Sequence, residues 1–184
     1  HFLPQSMDED FFYPRTVQKE RLFMQMGRKN EVIHKMILKY LQEHGLADAD
    51  ENYVYERTVG KIIYPDTNDL AENICRSFFF VCAPQALENS ALTGKVSDVT
   101  ARFYEAMACK CLIIGFKPDT YDELFPTNSM IELKPDGSDF EKRIEYFRDN
   151  PHGYQKLVED NYLYILEHHR WKNRLESIIT LLNA

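Results

Sequence analysis

A chain of 184 residues with a net charge of −7 lacks the positive surface field that general binding to nucleic acid or an anionic membrane requires. Its apolar (44%) and charged (28%) fractions are ordinary for a soluble globular chain and exclude disorder as its resting state, and its length suits one α/β domain better than two. No stretch is apolar for long enough to span a bilayer, the amino end has no signal-peptide pattern, and the four cysteines (Cys75, Cys82, Cys109, Cys111) have no zinc-type spacing. Free thiols in a reducing cytoplasm are therefore expected. The first residue is His rather than Met, which suggests a piece of a longer protein.

In chain order, Leu22-Phe-Met-Gln-Met26 is a short apolar run ended by Gly27 and reads as a buried strand. Asn30 is placed to cap a helix in which Val32, Ile33, Met36, Ile37, Tyr40 and Leu41 recur at helical spacing, with Gly45 as the stop. Tyr53-Val-Tyr55 is a second, shorter strand. A helix from Asp66 to Arg76 gathers Leu70, Ile74 and Cys75 on one side. It runs into Phe78-Phe-Phe-Val-Cys82, an unbroken apolar run that suits a strand covered on both faces. Thr100 to Cys109 reads as helix, Leu112-Ile-Ile114 and Met130-Ile-Glu-Leu133 as strands, and Ser138 onward as helical, broken at Asn150-Pro151. The last two helical segments are Tyr154 to Glu167 and Trp171 to Leu182. Strands alternating with helices predict an α/β domain with a doubly wound parallel sheet, Rossmann-like, followed by C-terminal helices. Ligands of such sheets sit at the carboxyl ends of the strands, where the strand order reverses.

Two constellations could carry chemistry. Gly27-Arg28-Lys29 follows the first strand, where glycine permits a tight turn, the next helix offers free amides, and two cations suit phosphate oxygens. By itself that dipeptide is common and a plain turn explains it. The second is the segment from Thr93 to Ala108, a polar loop feeding a helix, with Ser97 and Thr100 able to cap the helix or meet an anion there. Arg102 and Glu105, three residues apart, share a helix face. The cation suits a diphosphate; the carboxylate suits a diol, accepting two hydroxyl hydrogen bonds. A surface ion pair is the simpler explanation and would be worth under about 1 kcal/mol. His34 and His44 are expected at the surface or as helix caps, Trp171 as a core or interface anchor, and the acidic group Asp48, Asp50 and Glu51 as a solvated loop.

The run Arg102-Phe-Tyr-Glu-Ala-Met-Ala-Cys-Lys-Cys-Leu-Ile-Ile-Gly115 resembles the R-x-x-E-A-x-A-x-G-x-x-x-I segment of two-domain GT-B glycosyltransferases, in particular the glycosyltransferase-family-1-like or CgeB-like group. Leu3 to Pro14 is similar to the lead-in that follows that family's hinge, Phe23-Met-Gln-Met-Gly-Arg28 to its strand and phosphate turn, and His168 to Arg174 to its final helix. The resemblance implies that residues 1–184 are the donor-binding half of a GT-B fold. Residues 1–20 would be the post-hinge segment, and residues 168–184 the final helix, packing toward an absent N-terminal domain. Glu105 would then bind the ribose hydroxyls of a nucleotide-diphospho-sugar. Gly27, Arg28 and Lys35 would hold the diphosphate, Arg28 stabilising the leaving group. The loop from Ser97 through Thr100 to Arg102 would close on it, and the base would meet backbone near residues 57–63.

The implied function is transfer of a hexosyl-type sugar to an acceptor held by the N-terminal domain, in cell-surface polysaccharide or glycoconjugate biosynthesis. This piece alone is expected to be inactive, without cofactor and without metal, since helix dipoles and arginine can substitute for a cation's charge. Three departures bear on the assignment. Ser97 stands where retaining members have an acid, Lys110 where the motif has glycine, and Phe116-Lys-Pro-Asp-Thr120 where a Gly-Gly turn gives amides to the diphosphate, although Glu123 matches a later Glu. They leave the donor sugar and the anomeric outcome open. They also leave room for a sugar-nucleotide epimerase-like enzyme, or for a sugar-nucleotide-binding module without transfer chemistry.

Overall fold

A computed structural model of the chain describes residues 4–27, 29–46, 49–58, 60–84 and 97–183. Five strands pair in parallel: β1 (Arg21–Gln25), β2 (Tyr53–Tyr55), β3 (Ser77–Cys82), β4 (Leu112–Gly115) and β5 (Ile131–Glu132). Their order in the sheet is β2-β1-β3-β4-β5. The chain leaves β1 to one side to form β2 and returns on the other side to form β3. The switch point therefore lies at the carboxyl ends of β1 and β3.

Parallel neighbours need crossovers, and helices supply them. α1 (Glu31–Glu43), α2 (Ala49–Asn52) and α3 (Thr67–Cys75) precede β3; α4 (Ala101–Ala108) and α5 (Tyr121–Leu124) precede β5. α6 (Phe140–Asp149), α7 (Pro151–His168) and α8 (Trp171–Leu182) finish the chain. Alternate side chains of each strand feed opposite faces of the sheet. Met24, Phe80 and Ile113 pack with Ile74 of α3, Phe103 and Met107 of α4 and Ile165 of α7. Phe23, Phe79, Leu112 and Ile114 pack with Ile33 and Ile37 of α1, Ile144 of α6 and Val158 of α7. Because both faces are covered, β3 and β4 read in sequence as unbroken apolar runs. Phe23 is the hub of the second layer, its ring 5.6 Å from Phe79 and 5.9 Å from Phe140. Its truncation to Ala would cost about 3–5 kcal/mol.

Local signals set the helix ends. Asn30 Oδ1 accepts the Ile33 amide at 3.0 Å to start α1, and Asp66 accepts those of Asn68 and Asp69 to start α3. Asn150 caps α7 through the Gly153 amide at 3.0 Å, and Pro151 occupies the first turn, where its missing N–H is no loss. The break expected at Asn150-Pro151 is thus the start of a helix. One further expectation needs correction, and one element was not foreseen. The acidic segment expected as a loop forms the four-residue α2 over part of its length, with Asp48 outside the described residues. The short α5 gives no sequence signal, because four residues display no period.

β3 and β4 meet closely at their carboxyl ends. A Cβ on Gly115 would lie 1.7 Å from the Cys82 carbonyl oxygen, so only glycine fits. At the chain ends, the buried Arg174 donates to the carbonyls of Pro4, Gln5 and His168 and to Nδ1 of His169. The Met7 amide donates to the His169 carbonyl at 2.8 Å. The first described residues are thereby fastened to the start of α8. Further along that helix Trp171, Leu175, Ile179 and Leu182 recur on one side and stand exposed. Among the described residues no helix is long and apolar enough to cross a membrane.

Candidate functional site at the carboxyl edge of the sheet

The carboxyl ends of parallel strands share one edge, and the candidate residues fall along it. Pairing of Met24 with Phe80 sets Met26 level with Cys82, so Gly27 stands just beyond the end of β3. Gly27 turns the chain with φ +80, and a Cβ there would meet nothing within 4 Å, so the turn is open on its outer side. Arg28 lies outside the described residues. Lys29 pairs with Glu31 at 3.1 Å and lies over the Tyr55 ring, 5.5 Å from its centroid. Lys35 is exposed on α1, on the side away from Ile33 and Ile37. The Glu31 carboxyl is held low first by its hydrogen bond to Lys29, with Lys35 a lesser contributor.

Beneath this turn is a polar cluster without a sequence signal. The Tyr53 hydroxyl donates to Gln25 Oε1 at 2.7 Å and accepts from His34 Nδ1 at 3.2 Å. His34 is buried rather than at the surface, and its burial, reinforced by Lys29, pushes its pKa down. A neutral imidazole thus braces the first turn of α1 against the ends of β1 and β2. Beside it, at the carboxyl end of β2, a cavity of about 500 Å³ is lined by Tyr55, Arg57, Thr58, Lys61, Ile62 and Ile63. Arg57 and Lys29 both lie near the Tyr55 ring. The stretch expected to meet a nucleobase therefore borders an open, partly aromatic hollow.

Past β3, the stretch from Thr93 to Val96 lies outside the described residues, and beyond it Ser97 and Thr100 behave differently. Ser97 is buried: its Oγ accepts the Asp119 amide at 3.0 Å and its own amide donates to Asp119 Oδ2 at 3.2 Å. Thr120 Oγ1 accepts the Val99 amide at 3.2 Å. These bonds clasp the approach to α4 against the turn after β4. They also put a carboxylate, Asp119, beside the serine that replaces the family's acid. Thr100 is exposed at the N-cap of α4, and its hydroxyl does not cap the helix. Glu123, the other acid matched by the resemblance, is exposed on α5.

Arg102 and Glu105 do meet, through a direct ion pair on α4. The two ends of that pair differ: the Glu105 side chain is 14% exposed and that of Arg102 36%. Burial pushes the Glu105 carboxyl up, and the charge and hydrogen bond of Arg102 hold it back. Cys82, at the end of β3, is itself pushed up, first by its burial and then by neighbours that include Cys111 and Glu105. This differs from an exposed surface pair, since the acid is largely buried while the cation is about a third exposed.

Lys110 shows why the motif has glycine there. Its φ is +51, and the amides of Lys110 and Cys111 bond back to Met107 and Ala106 at 3.1 and 2.9 Å, closing α4 with a left-handed cap. An ion pair to Glu159 at 2.5 Å and the Tyr162 ring at 4.9 Å hold the lysine in that strained position. Among the described residues, the group with metal-ligand spacing, His44, Glu141 and Glu145, is at the far end of α1, on the opposite edge of the sheet.

The model of a family described as glycosyl transferase-like matches residues 49–180. No curated protein matches in sequence. Among solved structures, sucrose-phosphate synthase from Thermosynechococcus elongatus aligns over 100% of this chain and 52% of its own, at 14% identity and a TM-score of 0.63. The C-terminal domain of a group 1 family glycosyl transferase (LpcC) from Francisella tularensis aligns over 90% of this chain and 99% of its own, at 12% identity and the same TM-score of 0.63. A TarM variant from S. aureus, solved with fondaparinux, α-GlcNAc-glycerol and UDP, aligns over 94% of this chain and 37% of its own, at 12% identity and a TM-score of 0.61. The chain spans about half the length of the synthase and nearly all of the isolated C-terminal domain. Its parallel sheet, its helices on both faces and its matched residues together establish that it belongs to the glycosyl transferase-like family and has the Rossmann-like fold of a GT-B C-terminal half.

Proposed function

We propose that this chain binds a nucleotide-diphospho-sugar and presents it for transfer to an acceptor held by another domain of the same protein. Glu105 carries the reading. A largely buried carboxylate on α4, paired with an arginine that is more exposed, suits a ribose diol that donates two hydrogen bonds. The turn at Gly27 and the amides at the start of α1 lie on the same edge and suit the diphosphate, with Arg28 and Lys35 as its cations. Catalysis is then chiefly electrostatic, as these groups stabilise the departing nucleoside diphosphate without a metal. The cavity beside Tyr55 takes the base. The uncovered apolar side of α8 suits a second domain, which would supply the acceptor and any catalytic base. Solved structures of this fold that hold UDP include TarM and a pneumococcal O-GlcNAc transferase, GtfA. They favour a hexosyl-type transferase acting on a glycoconjugate.

A thermal-shift panel of UDP, GDP, ADP and dTDP tests the reading. One of the four should raise the melting temperature at millimolar concentration, while the chain alone transfers no sugar. No shift from any of them would remove the main support, and transfer by the chain alone would show that the site is complete without a partner domain.

A further inference from the structure

The edge of the sheet opposite the crevice carries a polar group that the crevice does not use. His44 closes α1, and Glu141 and Glu145 stand four residues apart on α6, so both carboxylates share one face of that helix. His44 Nε2 lies 3.5 Å from an oxygen of each carboxylate, and the three atoms lie within 4.8 Å of one another. The ring is held from behind. It stacks on Tyr40, with centroids 4.1 Å apart and planes at 26°, and its Nδ1 is 2.9 Å from the Tyr40 carbonyl oxygen. A carbonyl can only accept, so Nδ1 carries the hydrogen, and in the uncharged ring Nε2 turns a lone pair toward the two carboxylates. Three electron-rich atoms facing one another repel unless a cation stands between them. Arg148 approaches the same Glu145 oxygen at 3.6 Å, and it also reaches Asp149 and the Tyr40 hydroxyl, each at 3.4 Å.

We propose that His44, Glu141 and Glu145 bind a divalent transition-metal ion of the zinc class, with water as the fourth ligand. Zinc bonds of about 2.0–2.1 Å at the tetrahedral angle set neighbouring ligand atoms roughly 3.4 Å apart. Both histidine–carboxylate separations, at 3.5 Å, are already close to that spacing. Glu141 is exposed, so its side chain is free to turn and bring the two carboxylates to the same distance. The backbone carbonyl behind Nδ1 is the kind of partner that fixes the tautomer and ring orientation of metal-bound histidines. An imidazole nitrogen among the ligands favours zinc over magnesium or calcium, which take oxygen. Two carboxylates balance the charge of the ion. Arg148 gives up the shared Glu145 oxygen and keeps Asp149 and the Tyr40 hydroxyl. The ion staples the end of α1 to α6 on the outer side of the layer built around Phe23.

The full chain, freed of metal with a chelator, is titrated with Zn²⁺ by calorimetry and with Co²⁺ by absorption spectroscopy. One equivalent of Zn²⁺ should bind with micromolar affinity and raise the melting temperature by a few degrees. Co²⁺ should give the intense visible bands of a tetrahedral ion without the near-ultraviolet charge-transfer band that thiolate ligands produce. Glu141→Gln and Glu145→Gln should each weaken Zn²⁺ tenfold or more, and His44→Gln at least as much. The melting temperatures of the metal-free variants, compared with that of the unmutated chain, separate a lost ligand from a damaged fold. His152→Gln, at an exposed histidine outside the triad, should change nothing. No saturable binding below millimolar metal would mean that a proton rather than a metal bridges the three groups, and would overturn the proposal. So would a thiolate band with Co²⁺, or unchanged affinity in Glu141→Gln and Glu145→Gln. The first two results are read on the unmutated chain. They are independent of nucleotide binding at the other edge of the sheet.

Discussion

Glu105→Gln keeps the shape of the side chain and one acceptor oxygen while it removes the charge. Charge-assisted hydrogen bonds to a carboxylate are worth about 1.5–3 kcal/mol each. The amide nitrogen of glutamine cannot accept the second diol proton, so affinity for the nucleotide should fall roughly tenfold to a hundredfold. Stability should move the other way or not at all. Burial raises the Glu105 carboxyl above its ordinary 4.5, so the folded chain holds that proton more tightly than the unfolded chain does. Its contribution to stability is fully present below about pH 4.5 and is lost as pH rises through the folded pKa. At neutral pH the charge is therefore a burden on the fold, one that glutamine does not carry. Arg102, being about a third exposed, keeps water as a partner when the charge opposite it is gone. Calorimetric titration with a nucleoside diphosphate, paired with melts from pH 4 to 8, separates the two effects. Unchanged affinity would return Glu105 to an ordinary ion pair, and equal losses of affinity and melting temperature would make it a structural residue.

Lys110→Ala and Lys110→Gly should separate backbone strain from side-chain contact, because both remove the Glu159 and Tyr162 contacts but only glycine relaxes the left-handed φ. Glycine should be the more stable by about 1 kcal/mol in urea denaturation, and alanine equal to or above glycine would refute the strain. His169 is pushed down to about 4 by burial, then by Arg174, although its bond to the Leu124 carbonyl resists. The folded chain takes up that proton less readily than the unfolded one, so stability should drop by on the order of 3 kcal/mol as pH falls from about 6.5 to about 4. His169→Gln should flatten that slope in urea titrations across the same range. Trp171 is the one tryptophan of the sequence and is 58% exposed, so its emission should be that of a solvated indole. Joining the chain to an amino-terminal domain of the same protein should shift the emission to the blue, and an unchanged spectrum would leave the apolar side of α8 uncovered.

Much of the fold was legible because periodicity and burial agree. β1, β3 and β4 lie between helices on both faces, and their apolar runs follow from that cover. The long helices carry their caps in sequence, Asn30 and Asp66 among them. The Arg102–Glu105 contact was legible too, since a spacing of three places both on one helix face. What escaped depends on distance along the chain. Gln25, Tyr53 and His34 come together across 28 and 19 residues, and Ser97 meets Asp119 across 22. Arg174 reaches Pro4 across 170. No local pattern announces such partners. His34 consequently reads as a surface residue of an amphipathic helix, although it is buried under the turn. Lys110 is the reverse case. Its departure from the motif was visible in sequence, but only the positive φ and the Glu159 contact explain how a lysine is tolerated.

On this account a nucleoside diphosphate binds at the carboxyl edge of the sheet, across the ends of β1, β2 and β3. Amide chemical-shift mapping by NMR during titration with the diphosphate that gives the largest thermal shift tests that placement most directly. Perturbations should gather at Gly27 to Asn30, Tyr55 to Ile63 and Ser97 to Glu105, leaving Leu22, Phe78 and Phe147 at the opposite edge unmoved. Shifts confined to that opposite edge, or an unchanged spectrum at saturating ligand, would contradict it.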